Sequence, residues 1–175
     1  MAHMTMAQTN MGTRPMNEPI PAGDLVLRVG GEIGMSRWFA IDQTRIDAFA
    51  DVIDDHQFIH VEPERASRDT PFGGTIAHGF LSLSLLTAMG EGVLPTIAGE
   101  AMVINYGFDR VRFLAPVKSG ARVRARFVLS EATRRSDREL VARYAVTVEI
   151  EGGGKPALAA DWIILTLLKE QVDAA

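Results

Sequence analysis

Cysteine is absent from this chain of 175 residues. Disulfides, thiolate metal sites and cysteine nucleophiles are therefore excluded. Positive charge is not in excess either: 18 Lys and Arg stand against 22 Asp and Glu, a formal net charge of -4. A nucleic-acid-binding surface is normally basic, so this balance argues against one. It leaves room for anionic ligands, because local basic patches hold phosphates on acidic proteins. No apolar run approaches the length that crosses a bilayer. The opening stretch, MAHMTMAQTNMGTRP, also lacks the apolar segment of a signal peptide. The expected location is the cytoplasm, with neither membrane nor nucleic acid as a partner.

What is present suits a single globular domain. Hydrophobic residues make up 47% and charged residues 23%, ordinary values for a soluble protein with a real core. Residues 1–23, with Pro15, Pro19 and Pro21, read as a flexible N-terminal arm, and 24–175 as the domain. Leu25, Leu27 and Val29 read as a short extended stretch punctuated by Gly30, Gly31 and Gly34. Trp38, Phe39 and Ile41 suggest a strand end. Asp42 or Thr44 then caps a helix through about Ile53, since both types accept a bond from early backbone N–H groups. Ile46, Phe49, Ala50 and Ile53 recur at helical spacing and make its apolar face.

Residues 54–75, DDHQFIHVEPERASRDTPFGGT, break the pattern. Pro63 can start one helical turn, which Pro71 and the Gly73-Gly74 pair end. Long irregular segments inside a compact domain are usually functional or disordered, and the density of titratable groups favours function. Thr75 to Met89 is the most apolar helix candidate, with Ile76, Phe80, Leu81, Leu83, Leu85, Leu86 and Met89 on nearly all sides. A helix apolar all round must be wrapped. Strands predicted at about 103–113, 121–132, 139–151 and 157–168 supply the wrapper. Ser119-Gly120 and Gly152-Gly153-Gly154 are the turn signals between them, so the sheet is antiparallel. The expected class is α+β: an antiparallel sheet wrapped around a long central helix, the hot-dog arrangement.

Arg122, Arg124 and Arg126 alternate with apolar residues. They read first as the solvated face of a strand, and second as a cationic patch for the phosphates of coenzyme A.

The chemistry sits in Asp54-Asp55-His56-Gln57-Phe58-Ile59-His60. A carboxylate and an imidazole held together can serve one water: Asp55 accepts one of its hydrogen bonds, and His60 takes or returns its proton. The bland alternative is a capping acid beside a surface histidine. His56 and His60, four apart with Asp54 and Asp55 adjacent, also admit a metal, but only on a helix and without an evident third ligand. Metal-free acid–base chemistry is the preferred reading, with no cofactor. Ala77-His78-Gly79-Phe80 opens the apolar helix. Its early N–H groups lack helical partners, and Gly79 would let a ligand carbonyl approach its N–H and develop negative charge there. Gly79 equally permits close packing of helix on sheet. His78 reads as a capping or packing residue.

At these residues the chain resembles the MaoC-like dehydratase family, the R-specific enoyl-CoA hydratases. That motif reads Asp-x-Asn-Pro-x-His, followed by a helix beginning His-Gly; here it stands as Asp55 to His60 and His78-Gly79. The resemblance runs from about Trp38 to Leu168, and residues 104–113, INYGFDRVRF, look like the branch named for nodulation protein N. It implies a hot-dog homodimer acting on a trans-2-enoyl thioester of coenzyme A or an acyl carrier protein. It implies that Asp55 and His60 bind and activate water, with the Gly79 N–H on the thioester oxygen. Gln57 replaces the motif's Asn and keeps an amide, one methylene longer, that can orient the water or Asp55, and it is expected with Gly79 among the substrate-binding residues; Phe58 replaces the motif's Pro. A hot-dog thioesterase and a non-catalytic subunit that binds acyl thioesters are the competing readings.

Overall fold

Alternating burial marks three of the four long strands, Ala121–Ser136, Glu139–Ile150 and Leu158–Leu168, because successive strand residues point to opposite faces. A computed structural model describes residues 18–170 of the protein. The strands are β3 (Glu100–Phe113), β4 (Ala121–Ser136), β5 (Glu139–Ile150) and β6 (Leu158–Leu168). Two short strands, β1 (Glu32–Met35) and β2 (Phe39–Ile41), both pair with β4, and the sheet runs β1-β4-β5-β6-β3, antiparallel throughout. One face buries Val123, Ala125, Phe127 and Leu129 of β4 with Tyr144, Val146 and Val148 of β5 and Leu158, Ala160 and Trp162 of β6. Against that face lies the helix formed by α5 (Gly79–Ser84) and α6 (Leu86–Gly90), through Leu81, Leu86 and Met89. This is the α+β hot-dog fold expected from the pattern.

Four expectations need correction. Leu25 lies in a helix, α1 (Ala22–Val26), not in an extended stretch. Pro21 sits at the N-cap with φ -55°, a start that proline pre-sets. Leu25 is buried at 1% exposure while Leu27 stands out at 85%. Most of the predicted arm, residues 1–17, lies outside the described residues; from there Ile20 is buried and exchanges backbone bonds with Thr96 and Ala98.

The second correction concerns residues 54–75, which are not irregular throughout. They carry α3 (Phe58–Val61) and the two-turn α4 (Pro63–Asp69) with Pro63 in its first turn. Third, the central helix begins at Gly79, not Thr75. Ala77 donates to the Val117 carbonyl and Ile76 bridges Lys118, so this apolar segment is spent on extended pairing. The helix is also uneven at Leu85, where the Ser84 hydroxyl bonds back to the Phe80 carbonyl, a contact that bends helices. Fourth, the sheet does not wrap the helix on all sides. Phe80 is 62% exposed, and the edge strand β3 shows Met102, Val103, Tyr106, Phe108 and Phe113 to solvent.

Candidate active site

The site is assembled where α2 (Gln43–Ile53) ends. Asp42 caps that helix by accepting from the Arg45 N–H at 2.8 Å. At its far end Asp54 adopts the left-handed conformation (φ 55°, ψ 31°). This lets both its own N–H and that of Asp55 reach the Ala50 carbonyl. The chain is thereby turned out of the helix at Asp55, whose side chain stays half exposed at 48%.

His60 lies on α3 and is buried. Its Nδ1 sits 2.7 Å from the Ile76 carbonyl. A carbonyl can only accept, so Nδ1 carries the proton and the neutral ring keeps its lone pair on Nε2. The surroundings are fixed as well: Ile76 donates its own N–H to the Ile59 carbonyl, and Gln43 Nε2 donates to the His60 carbonyl at 2.7 Å. Gln43 Oε1 in turn accepts from the Thr75 hydroxyl. Burial holds the His60 pKa below its ordinary 6.5, and His78 adds to that. The bond to Ile76 and the charge of Asp55 oppose it. The ring is thus a base at neutral pH.

His78, which the sequence offered only for capping or packing, belongs to the same cluster. It is 3% exposed, and its Nε2 lies 2.9 Å from the Asp55 carbonyl and 3.9 Å from Asp55 Oδ2. Its ring stacks on that of His60 with centroids 3.7 Å apart and planes at 26°. Donor atoms of Asp55, His60 and His78 all lie within 4.8 Å of one another. Stacked rings send their in-plane lone pairs nearly side by side, a poor geometry for two ligands of one ion. His56 is drawn elsewhere, to Asp51 at 2.8 Å on the surface, so the His56–His60 metal pair considered from spacing does not converge.

A cavity of about 390 Å³ opens beside the cluster, and both His60 and Gly79 line it with Phe80, Phe113 and Ala157. Gly79 is the first residue of α5, so its N–H has no intrahelical partner. A Cβ at Gly79 would come within 2.8 Å of Phe113 Cδ1, so the close-packing reason for this glycine holds whether or not a ligand uses the N–H. Asp55 and Gln57 are not in the cavity wall. Gln57 is exposed, makes no side-chain cap bond, and touches Asp55 through its backbone N–H at 3.3 Å from Oδ1. Phe58 opens α3 beneath the Arg65 guanidinium, 4.1 Å from the ring centroid.

The arginine ladder of β4 takes the first of its two readings. Arg122 pairs with Glu151, Arg124 with Glu149, and Arg126 with both Glu32 and Glu149. Carboxylates from β1, from β5 and from the turn after β5 neutralise it, which leaves little charge for coenzyme A phosphates.

Nodulation protein N of Rhizobium leguminosarum bv. viciae is 58% identical over 142 residues, covering 81% of this chain and 88% of that protein. The 3-hydroxyacyl-thioester dehydratase Z of Mycobacterium tuberculosis is 44% identical over 141 residues, covering 81% and 92%. Among solved structures, the monoamine oxidase regulatory protein from Archaeoglobus fulgius matches with a TM-score of 0.71 at 25% identity, covering 87% of this chain and 97% of that one. The sequence model of the MaoC like domain matches residues 25–150, and the chain belongs to the MaoC-like dehydratase family.

Proposed function

We propose that the protein is a metal-free hydro-lyase that reversibly adds water to a trans-2-enoyl thioester, giving the R-3-hydroxyacyl thioester. The observation that carries this reading is the tautomer of His60. With Nδ1–H committed to the Ile76 carbonyl, Nε2 is left as an acceptor; His60 lines the cavity, and a ring nitrogen of His60 lies within 4.8 Å of an Asp55 carboxylate oxygen. A water between them would give one hydrogen bond to Asp55 and one to Nε2. Its oxygen adds to C3 of the enoyl group as a proton leaves it, and the electron pair moves through C2 to the thioester oxygen. The N–H of Gly79, a residue of the cavity lining, would donate to that oxygen, and C2 then takes a proton from the pair. Dehydration is the reverse.

The carrier in this reading is coenzyme A or an acyl carrier protein. The reading also includes a homodimer. β3, 14 residues with exposed apolar side chains, pairs with β6 on one side and among the described residues has no strand on the other, the kind of edge that proteins pair or cover. The relative named 3-hydroxyacyl-thioester dehydratase Z supports the substrate class.

The test is product analysis on enoyl-CoA substrates of several chain lengths. Loss of the conjugated double bond with formation of R-3-hydroxyacyl-CoA supports the reading. Free thiol without hydration would make the enzyme a thioesterase, and binding without turnover would make it a non-catalytic subunit.

A further inference from the structure

We propose that His78 is a positioning residue: its Nε2–H bond to the Asp55 carbonyl and its stacking on the His60 ring hold the acid–base pair in register. This rests on the hydro-lyase reading of the same site. Nothing in the Asp-x-x-x-x-His spacing calls for a third group, and the reason for one is structural. Asp55 follows a left-handed turn and is half exposed, with the Gln57 N–H on its carboxylate only at 3.3 Å. Its backbone is therefore what must be fixed if the carboxylate is to keep a defined place. His78 does this through its Nε2–H, since it is the N-cap residue of α5 and its ring contacts those of Phe49 and His60.

A residue serving only to fill that space would be apolar. An imidazole is costly there, because its Nδ1 is buried without a hydrogen-bond partner among the described residues. The compensation is the donor on Nε2, which no hydrocarbon ring supplies. Stacking at 3.7 Å also stops the His60 ring from tilting away from Asp55. His78 does not line the cavity, so it acts through Asp55 and His60 and not on the substrate.

Two variants separate the parts of this role. His78→Phe keeps a ring to stack on His60 but removes the donor. His78→Gln places an amide N–H near the former Nε2 and removes the ring. Misplacing a reacting group by about 1 Å can cost roughly 100-fold in rate, so His78→Phe should lower kcat by about 10–100-fold with KM scarcely changed. His78→Gln should recover part of that loss, because the donor is restored while the stacked ring is not. Parental kcat in a folded His78→Phe enzyme, equal loss in both variants, or a loss confined to KM would each overturn the proposal.

Long-range ring-nitrogen NMR of the unmodified protein at neutral pH gives a readout that needs neither turnover nor a folded variant. His78 should show a protonated Nε2 and a bare Nδ1; the opposite tautomer, or two protonated nitrogens, would overturn the bond. A parent protein that hydrates no enoyl thioester would sink the hydro-lyase reading itself. An active parent with an indifferent His78→Phe variant would sink only the role of His78.

Discussion

Replacing Gly79 with alanine tests whether its N–H serves chemistry or the glycine serves only packing. The new Cβ would meet the Phe113 ring at 2.8 Å from Cδ1, 2.9 Å from Cε1 and 3.0 Å from Cγ, so the ring must retreat to at least 3.4 Å for ordinary contact. Overpacking typically costs about 1–3 kcal/mol. The lower end applies because Phe113 is 48% exposed and can swing outward. Alanine also favours the helix over glycine by up to about 1 kcal/mol, which offsets part of this cost. The melting temperature should therefore fall by no more than about 2–4 °C, the shift that 1 kcal/mol produces in a domain of this size. Turnover should fall much further. Losing one oxyanion donor costs roughly 2.7–4 kcal/mol, or about 100–1000-fold in kcat, and the methyl group would stand where the thioester oxygen approaches. Spectrophotometric hydration of an enoyl-CoA, run beside thermal melts, reads both effects. Phe113→Ala supplies the control, since it makes room for the new methyl group. If Gly79→Ala in the Phe113→Ala background costs no activity relative to Phe113→Ala alone, the defect was steric packing and the oxyanion role is wrong.

Burial lowers the His60 pKa below 6.5, so kcat/KM should hold from neutral pH down to about 6.5 and fall only as the ring protonates below that. The same shift makes a stability contribution that is present above about pH 6.5 and is lost as pH falls through the folded-state value. Melts from about pH 8 to 5 should thus show a shallower acid slope in His60→Gln than in the parent. The backbone at Gln57 (φ -58°, ψ 135°) already suits a residue before proline, and Phe58 opens α3, where proline is pre-organised. The gain of about 0.5–1 kcal/mol from the cap and the fixed φ is set against loss of the Phe58 ring under Arg65, so Gln57→Asn with Phe58→Pro should melt within about 2–4 °C of the parent; a larger fall would mean that α3 does not start there. Sedimentation equilibrium should find a homodimer at micromolar concentration and a shift toward monomer in Val103→Lys, which puts a charge on the exposed edge strand. A purely monomeric parent would contradict the dimer.

The sheet was legible because β4, β5 and β6 each have one buried face, and burial enforces the alternation that a sequence displays. Where both faces are wet the signal vanishes: Thr133, Arg134 and Arg135 continue β4 to Ser136, yet the periodicity stops before them. Leu25, Leu27 and Val29 mimic a strand by their spacing, but only Leu25 enters the core, from a helix that Pro21 starts. Ile76 and Ala77 are apolar and lie just before the helix, yet tertiary pairing with Lys118 and Val117 holds them extended. The closeness of Asp55 and His60 was legible because they stand five apart across the end of α2 and the start of α3. Gln43 and His78 were not, because each acts on residues far away in sequence: Gln43 on the His60 carbonyl, His78 on the Asp55 carbonyl. Only the start of the apolar helix at His78-Gly79 hinted at the second.

The central claim is that Asp55 and His60 act together on one water. Its most direct test is the hydration rate of crotonyl-CoA, or a longer enoyl-CoA, by the parent, Asp55→Asn, His60→Gln and the double variant, each shown to be folded by thermal melt. General acid–base catalysis contributes about 100–10,000-fold, so each single variant should lose around that factor. The double variant should lose little more than either, because groups serving one water are strongly non-additive. A folded His60→Gln enzyme hydrating at the parent rate would contradict the account.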